Sequence, residues 1–79
     1  MSPTGTGREA ERQVEVVVNG EPCVVPSLTT VDILVTLVGI ERRGVAVAVD
    51  GQVVPRSAWS QATLADGARV EIVTAAAGG

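Results

Sequence analysis

Very few side chains in this 79-residue chain could carry out chemistry. The sequence has no His and no Lys, and Cys23 is its single cysteine. It therefore lacks a Ser–His or Cys–His pair, a zinc cluster and a Schiff-base lysine. The acidic residues are spread along the chain beside turns and on strand faces, where solvated carboxylates are expected. We predict that the protein does not catalyse a reaction on its own.

The other group that could react is the α-carboxylate at the end of VTAAAGG, residues 73–79. Gly78 and Gly79 carry no side chains, so this end of the chain can adopt conformations that are closed to L-residues and can pass through a narrow channel. When extended, residues 75–79 reach about 17 Å, which is enough to enter the active site of another protein. A diglycine end by itself is more often only a flexible tail. We therefore predict that Gly79 is the reacting residue and that Gly78 lets the end of the chain pass through the channel.

Three further side chains have both a chemical and a structural interpretation. The Cys23 thiol could carry a persulfide, but its expected position on the core side of a strand favours an inert, buried thiol. Arg56 could contact an acidic partner or could simply be solvated. Trp59, the only aromatic residue, is expected to pack over one end of an aliphatic core. We keep Arg56 as a candidate docking residue and treat the other two as structural.

Composition and charge limit the partners. The net charge is −3 and the hydrophobic content is 46%. Nucleic acids and anionic membrane surfaces are bound through clustered positive charge, so neither is expected as a partner, whereas a basic enzyme surface would suit the protein. No stretch is long and apolar enough to span a bilayer, and residues 1–13 contain no hydrophobic segment typical of a signal peptide. We expect one small domain in a soluble, cytoplasmic protein.

The segment VEVVVNGEPCVV, residues 14–25, predicts a β-hairpin. Asn19 and Gly20 tolerate the positive φ values of a two-residue type I′ turn, and valines flank the turn on both sides. The turn fixes the register of the two strands. The pairs expected on the core side are Val18 with Glu21, Val16 with Cys23, and Val14 with Val25.

The segment TTVDILVTLVG, residues 29–39, predicts a helix of about two to three turns. Thr29 or Thr30 would be the N-cap, and Gly39 would end the helix. Asp32 lies in the first turn, where the helix dipole favours an acid. At about 100° per residue the expected inward stripe is Val31, Leu34, Val35 and Val38, with Ile33 and Leu37 on the flank.

Three later segments complete the pattern. Residues 45–50 are apolar enough for an interior strand, and an Asp50-Gly51 turn follows them. A short strand then ends at Pro55, which cannot donate a backbone hydrogen bond. Residues 69–75 form the last strand. The predicted order of elements is β-β-α-β-β-β.

This order predicts an α+β domain in which one helix lies across a mixed sheet of about four to five strands. The first and last strands would lie parallel at the centre of the sheet, as in a β-grasp fold. The domain would span residues 14–74. It would follow a disordered N-terminal arm, residues 1–13, and precede a flexible diglycine tail, residues 75–79.

Four stretches of the sequence together resemble the ThiS family of sulfur-carrier proteins, relatives of MoaD and of the ubiquitin-like β-grasp proteins. They are VVVNGEP at 16–22, TTVDILVTL at 29–37, GVAVAVDGQVVPRSAW at 44–59, and LADGARVEIVTAAAGG at 64–79. The combination of VVPRSAW, LADG and a terminal GG is far more specific than a diglycine alone. The sequence departs from the family at AAAGG, which lacks the bulkier residue that often precedes the glycines, and in its longer N-terminal segment.

The resemblance implies a ubiquitin-like β-grasp fold and a role as a sulfur donor. The carboxylate of Gly79 would be adenylated by an E1-like enzyme of the ThiF or MoeB type and then converted to a thiocarboxylate. This activation is needed because a carboxylate is a poor electrophile. A thiazole synthase of the ThiG type would use the sulfur to form the thiazole of thiamin. The carrier itself would bind no cofactor, since the activating enzyme uses ATP and the sulfur source.

Two other functions remain open at the level of the sequence. The protein could carry sulfur for molybdopterin or for a sulfur-containing secondary metabolite, through the same kind of activating enzyme and another sulfur-accepting enzyme. It could instead be a ubiquitin-like modifier or binding module whose tail is joined to lysines of target proteins.

A partner enzyme must hold the folded body while the tail reaches inward. The outer face of the predicted sheet carries Val17, Val24 and Val73 among Glu15, Arg69 and Glu71. An apolar centre with a charged rim is typical of a docking surface, so we predict that partners bind this face. Arg56 is a further docking candidate, and the flank of Ile33 and Leu37 is the next candidate surface.

Overall fold

The computed structural model describes residues 12–41 and 43–74. Their elements follow the predicted order. The strands are β1 (Gln13–Val18), β2 (Glu21–Pro26), β3 (Val45–Val49), β4 (Gln52–Val54) and β5 (Arg69–Thr74), the helix is α1 (Val31–Leu37), and a short 3₁₀ helix (Arg56–Ala58) follows β4. β1 begins one residue before the predicted domain boundary at residue 14. Most of the predicted arm and all of the predicted tail lie outside the described residues.

The five strands form one mixed sheet in the order β2-β1-β5-β3-β4. β1 and β5 run parallel, and the other neighbouring strands run antiparallel. The predicted parallel pairing of the first and last strands is therefore confirmed, and β5 is the middle strand of the sheet. With one helix packed on the sheet, the architecture is the ubiquitin-like β-grasp fold expected from the sequence.

Two tight hairpins supply four of the strands. Asn19 (φ 50°) and Gly20 (φ 86°) connect β1 to β2, and Asp50 (φ 52°) and Gly51 (φ 85°) connect β3 to β4. Positive φ at both turn residues matches type I′ turns, which Asn-Gly and Asp-Gly adopt at little cost. The predicted register is confirmed for the first hairpin, in which Val14 pairs with Val25, Val16 with Cys23, and Val18 with Glu21.

The core lies between α1 and the inner face of the sheet. Alternate strand residues point into it, as the two-residue period of a strand requires. The buried strand residues are Val16, Val25, Val47, Val70 and Ile72, and the buried helix residues are Val31, Leu34 and Val35. These agree with the predicted core faces, except that Glu21, which was expected on the core side beside the turn, is exposed.

The prediction that Val38 completes the inward stripe of the helix is wrong, because 36% of this residue is exposed. α1 ends at Leu37, and Val38 is the C-cap with φ −82° and ψ 0°. Its backbone has already left the helical repeat, so a step of about 100° no longer places its side chain on the core face. Gly39 follows with φ 78°, which confirms it as the residue at which the helix stops.

Neighbouring groups fix the start of α1. Thr30 is the N-cap, and its hydroxyl accepts a hydrogen bond from the Ile33 amide at 3.2 Å. Two first-turn amides donate to carbonyls of the segment 59–62, Val31 to Ala62 at 2.9 Å and Asp32 to Trp59 at 3.2 Å. The carbonyls of this segment thus accept hydrogen bonds from first-turn amides, which have no partner within the helix.

Trp59 is buried in the core, as predicted. Its indole N–H donates to the Val54 carbonyl at 2.9 Å, which gives the buried ring the polar partner that it needs. The guanidinium carbon of Arg56 lies 5.1 Å from the ring centroid, within the range of a cation–π contact. Arg56 begins the 3₁₀ helix and Trp59 is its C-cap residue, so this short helix places the two side chains close together.

Prolines reduce the capacity of both open edges of the sheet to pair with further strands. Val18 and Glu21 form the pair that closes the first turn, so alternate residues of β2 direct their backbone groups to the open edge. Pro22 and Pro26 occupy such positions and have no N–H to offer. β4, the other edge strand, has only three residues and is followed by Pro55. Since unpaired strand edges invite association with other chains, these features reduce that risk.

Candidate functional site

The predicted site residues, Gly78 and Gly79, lie outside the described residues. The structure does describe where the chain leaves the sheet to reach them. β5 ends at Thr74, which pairs with Val45 of β3 on one side. The pairing with β1 on the other side ends earlier, at Val70. The exit therefore lies beside the turn of the first hairpin, at the middle of one end of the sheet.

The side chain of Asn19 bridges this turn to β5. Its Oδ1 accepts a hydrogen bond from the Ile72 amide at 2.8 Å, and its Nδ2 donates to the Ile72 carbonyl at 3.1 Å. The backbone amide of Asn19 donates to the Val70 carbonyl at 2.8 Å. The side chain thus imitates one more residue of the parallel β1–β5 ladder, just before the chain leaves the sheet.

Asp50 makes the corresponding contact at the other end of β5. Its Oδ1 accepts from the Arg69 amide at 3.0 Å, and its backbone amide donates to the Arg69 carbonyl at 2.8 Å. Each hairpin therefore contributes one turn side chain to the central strand. Asp50 holds the beginning of β5, and Asn19 holds the part that precedes the exit.

Sequence reasoning missed both contacts, because it assigned Asn19 and Asp50 only to their turns. The available signal was the residue type: Asn carries a donor and an acceptor side by side and can pair with both backbone groups of one residue, whereas an ionised Asp only accepts. The sequence gives no indication that Ile72, which is 53 positions away, supplies those groups.

The predicted docking residues lie on the outer face of the sheet. Val24 and Val73 are exposed, and Val17 is half-buried. Val17 is level with Arg69 in the β1–β5 register. An open depression of about 310 Å³ on this face is lined by Val17, Gly20, Arg69, Val70 and Glu71. The structure therefore places an apolar centre and charges of both signs on the outer face, with Val73 nearest to the exit of the chain.

Further apolar residues extend this face towards β4. Ala46 pairs with Val73, and Ala48 pairs with both Glu71 and Val53. Val53 is highly exposed. These residues were not predicted for this face, because their side of the sheet depends on which strand pairs with β5.

The structure separates the remaining candidates from this face. Arg56 is exposed in the 3₁₀ helix, and its guanidinium lies over the Trp59 ring. Ile33 and Leu37 are exposed on α1, in the other layer of the domain. Cys23 is half-buried and packs against the core.

Other kinds of site find no support in residues 12–41 and 43–74. No group of His, Cys, Asp and Glu in these ranges is placed to hold a metal ion. No helix in them is long and apolar enough to cross a membrane.

The chain is similar to known proteins in sequence and in structure. The model of the ThiS family matches residues 11–79. The crystal structure of the thiamine biosynthesis protein ThiS from Geobacter metallireducens is similar, with a TM-score of 0.69 and 29% sequence identity over 84% of this chain and 100% of that chain. No curated protein matches the chain significantly.

Proposed function

The chain belongs to the ThiS family, and from this premise we propose that it is a sulfur carrier in thiamin biosynthesis whose Gly79 carboxylate bears the sulfur. The observation that carries the proposal is the family match, which runs through the two final glycines to residue 79. The similar structure from Geobacter metallireducens is that of a thiamine biosynthesis protein. The central position of β5 supports the proposal further, because it places the exit of the chain beside an apolar face on which an enzyme could dock.

The proposed chemistry has two steps at the same carboxyl group. A carboxylate oxygen of Gly79 attacks the α-phosphorus of ATP, which releases pyrophosphate and gives an acyl-adenylate. A sulfide nucleophile then attacks the acyl carbon, the bond to AMP breaks, and a thiocarboxylate remains. Both steps take place on an activating enzyme of the ThiF type, which supplies the ATP site. The thiocarboxylate, ionised at neutral pH, is then the nucleophile used by a thiazole synthase of the ThiG type.

Incubation with a ThiF-type enzyme, ATP and sulfide is expected to convert the protein to a species about 16 Da heavier, because sulfur replaces one oxygen. Intact-protein mass spectrometry measures the change, and fragmentation should place it on Gly79. The same mixture without ATP is the control and should leave the mass unchanged. Formation of an amide bond to lysines of other proteins, in place of the mass gain, would contradict the proposal and indicate a modifier.

The body of the protein is proposed to dock through the outer face of the sheet. Val73 is the exposed apolar residue of β5 nearest to the exit, and it points away from the core. The face also carries Glu71 and Arg69, whose charges would orient an enzyme surface of complementary charge.

Val73→Asp is expected to raise the KM for the carrier in the adenylation reaction by about tenfold or more, because docking would bury an unpaired carboxylate. Leu37→Asp is the matched control: Leu37 is 58% exposed and Val73 is 63% exposed, but Leu37 lies on the helix. Circular dichroism should show both variants folded. If Leu37→Asp raised the KM and Val73→Asp did not, the helix flank would be the docking surface instead.

A further inference from the structure

Asn19 occupies a position at which the turn itself does not require its side chain. Its φ of 50° is left-handed, and Gly, Asn and Asp are the residues that adopt this conformation readily. Glycine would therefore serve the turn equally well and would keep the backbone hydrogen bond to Val70. The amide side chain adds something different, namely the pair of hydrogen bonds to Ile72.

These hydrogen bonds lie at the point where β5 loses its strand neighbour on the hairpin side. The β1–β5 register ends at the pair Val18 and Val70. On the opposite side, β3 continues to pair as far as Thr74. Within the described residues, the Asn19 side chain is thus the last group from the hairpin side that holds β5 before the exit.

We propose that Asn19 is a positioning residue for the reaction at Gly79, an inference that rests on the proposed function. By holding Ile72 against the hairpin, its side chain fixes the direction in which the chain leaves the sheet after Thr74. A reaction at the end of a short connection depends on that direction, since every orientation that points away from the active site lowers the fraction of productive encounters. Asn19 is not one of the residues assigned above to the docking face, and its side chain contacts β5 at Ile72, so we expect it to act through Ile72.

Docking and reaction should respond differently to the loss of the Asn19 side chain. The enzyme grips the outer face whether or not Ile72 is held, so the KM for the carrier should not depend on the Asn19 side chain. The rate within the docked complex should depend on it, because a wider range of exit directions brings the carboxylate to ATP less often.

The test compares Asn19→Gly with Asp50→Gly. Both variants keep the turn conformation and lose side-chain hydrogen bonding to β5, but only the first loses it next to the exit. For Asn19→Gly, we expect kcat for adenylation to fall by about threefold to tenfold, with KM within about twofold of wild type. For Asp50→Gly, both parameters should stay within about twofold of wild type.

Two further experiments test whether the effect on kcat comes from the contact between Asn19 and Ile72. Hydrogen exchange of the Ile72 amide should become faster in Asn19→Gly and should stay slow in Asp50→Gly. Asn19→Asp keeps the acceptor for the Ile72 amide but loses the donor to its carbonyl, so kcat should lie between wild type and Asn19→Gly.

Wild-type kcat in Asn19→Gly, or an equal loss in Asn19→Gly and Asp50→Gly, overturns the positioning role and leaves the sulfur-carrier function standing. Failure of the wild-type protein to be adenylated overturns both. If Asn19→Gly does not fold, Asn19→Asp decides: a lowered kcat with an unchanged KM supports the role, and wild-type kinetics overturn it.

Discussion

Deletion of Gly79 is expected to abolish thiocarboxylate formation while leaving the stability of the domain unchanged. The shortened chain still ends in a glycine carboxylate, that of Gly78, but this group lies about 3.3 Å short of the position that the enzyme requires. Reacting atoms must approach to about 3–3.5 Å, and a misplacement of about 1 Å can lower a rate a hundredfold. We therefore expect a loss of at least about a hundredfold in the rate of adenylation.

The deletion should not unfold the protein, because the last strand pair described, Val45 with Thr74, precedes the deleted residue. Urea denaturation should give free energies of unfolding that agree within about 0.5 kcal/mol. Ala77→Gly is the control for length: it alters the sequence of the tail but keeps its reach, and its rate should remain near that of wild type. Full activity after deletion of Gly79 would show that the assigned site is wrong.

The second large effect concerns the stability of the domain. Leu34 is completely buried, with 0% exposed, between α1 and the sheet. Leu34→Ala removes buried methyl groups and leaves a cavity, which typically costs about 3 to 5 kcal/mol. A chain of this length has a total stability of roughly 4 to 12 kcal/mol, so the variant should be severely destabilised and can be largely unfolded.

The matched control for Leu34→Ala is Leu37→Ala, the same substitution one helical turn later. Leu37 is 58% exposed, so its truncation should change the free energy of unfolding by no more than about 0.5 kcal/mol. Urea denaturation followed by circular dichroism measures both variants. Equal losses in the two variants would contradict the packing described for α1.

Local signals account for most of what the sequence predicts correctly about the fold. Asn19-Gly20 specifies a two-residue turn, and the register of the first hairpin follows from it without any knowledge of the rest of the chain. Thr30 and Gly39 similarly mark the ends of the helix. The prediction for Val38 is wrong because helical periodicity was extended by one residue beyond the point at which the backbone changes conformation.

Features that depend on distant parts of the chain were harder to predict. Strand alternation placed Val17, Val24 and Val73 on one face, but it gave no sign that Val53 extends that face, because β4 reaches it only through β3. The Asn19–Ile72 contact depends on β1 and β5 being neighbours. Gly79 could be proposed from residue type and resemblance alone, since its chemistry needs no side chain.

The central position of β5 also affects how the protein folds during synthesis. The two hairpins form between neighbours in sequence and can close early, on a microsecond timescale. Joining them requires β5, which is the last of the five strands to be translated and contacts partners as far as 53 positions away. Such non-local contacts slow folding, and until they form the inner faces of the hairpins stay uncovered. A chain released before residue 69 would therefore lack β5 and a completed sheet, as well as the two glycines at which the sulfur-carrying site is proposed.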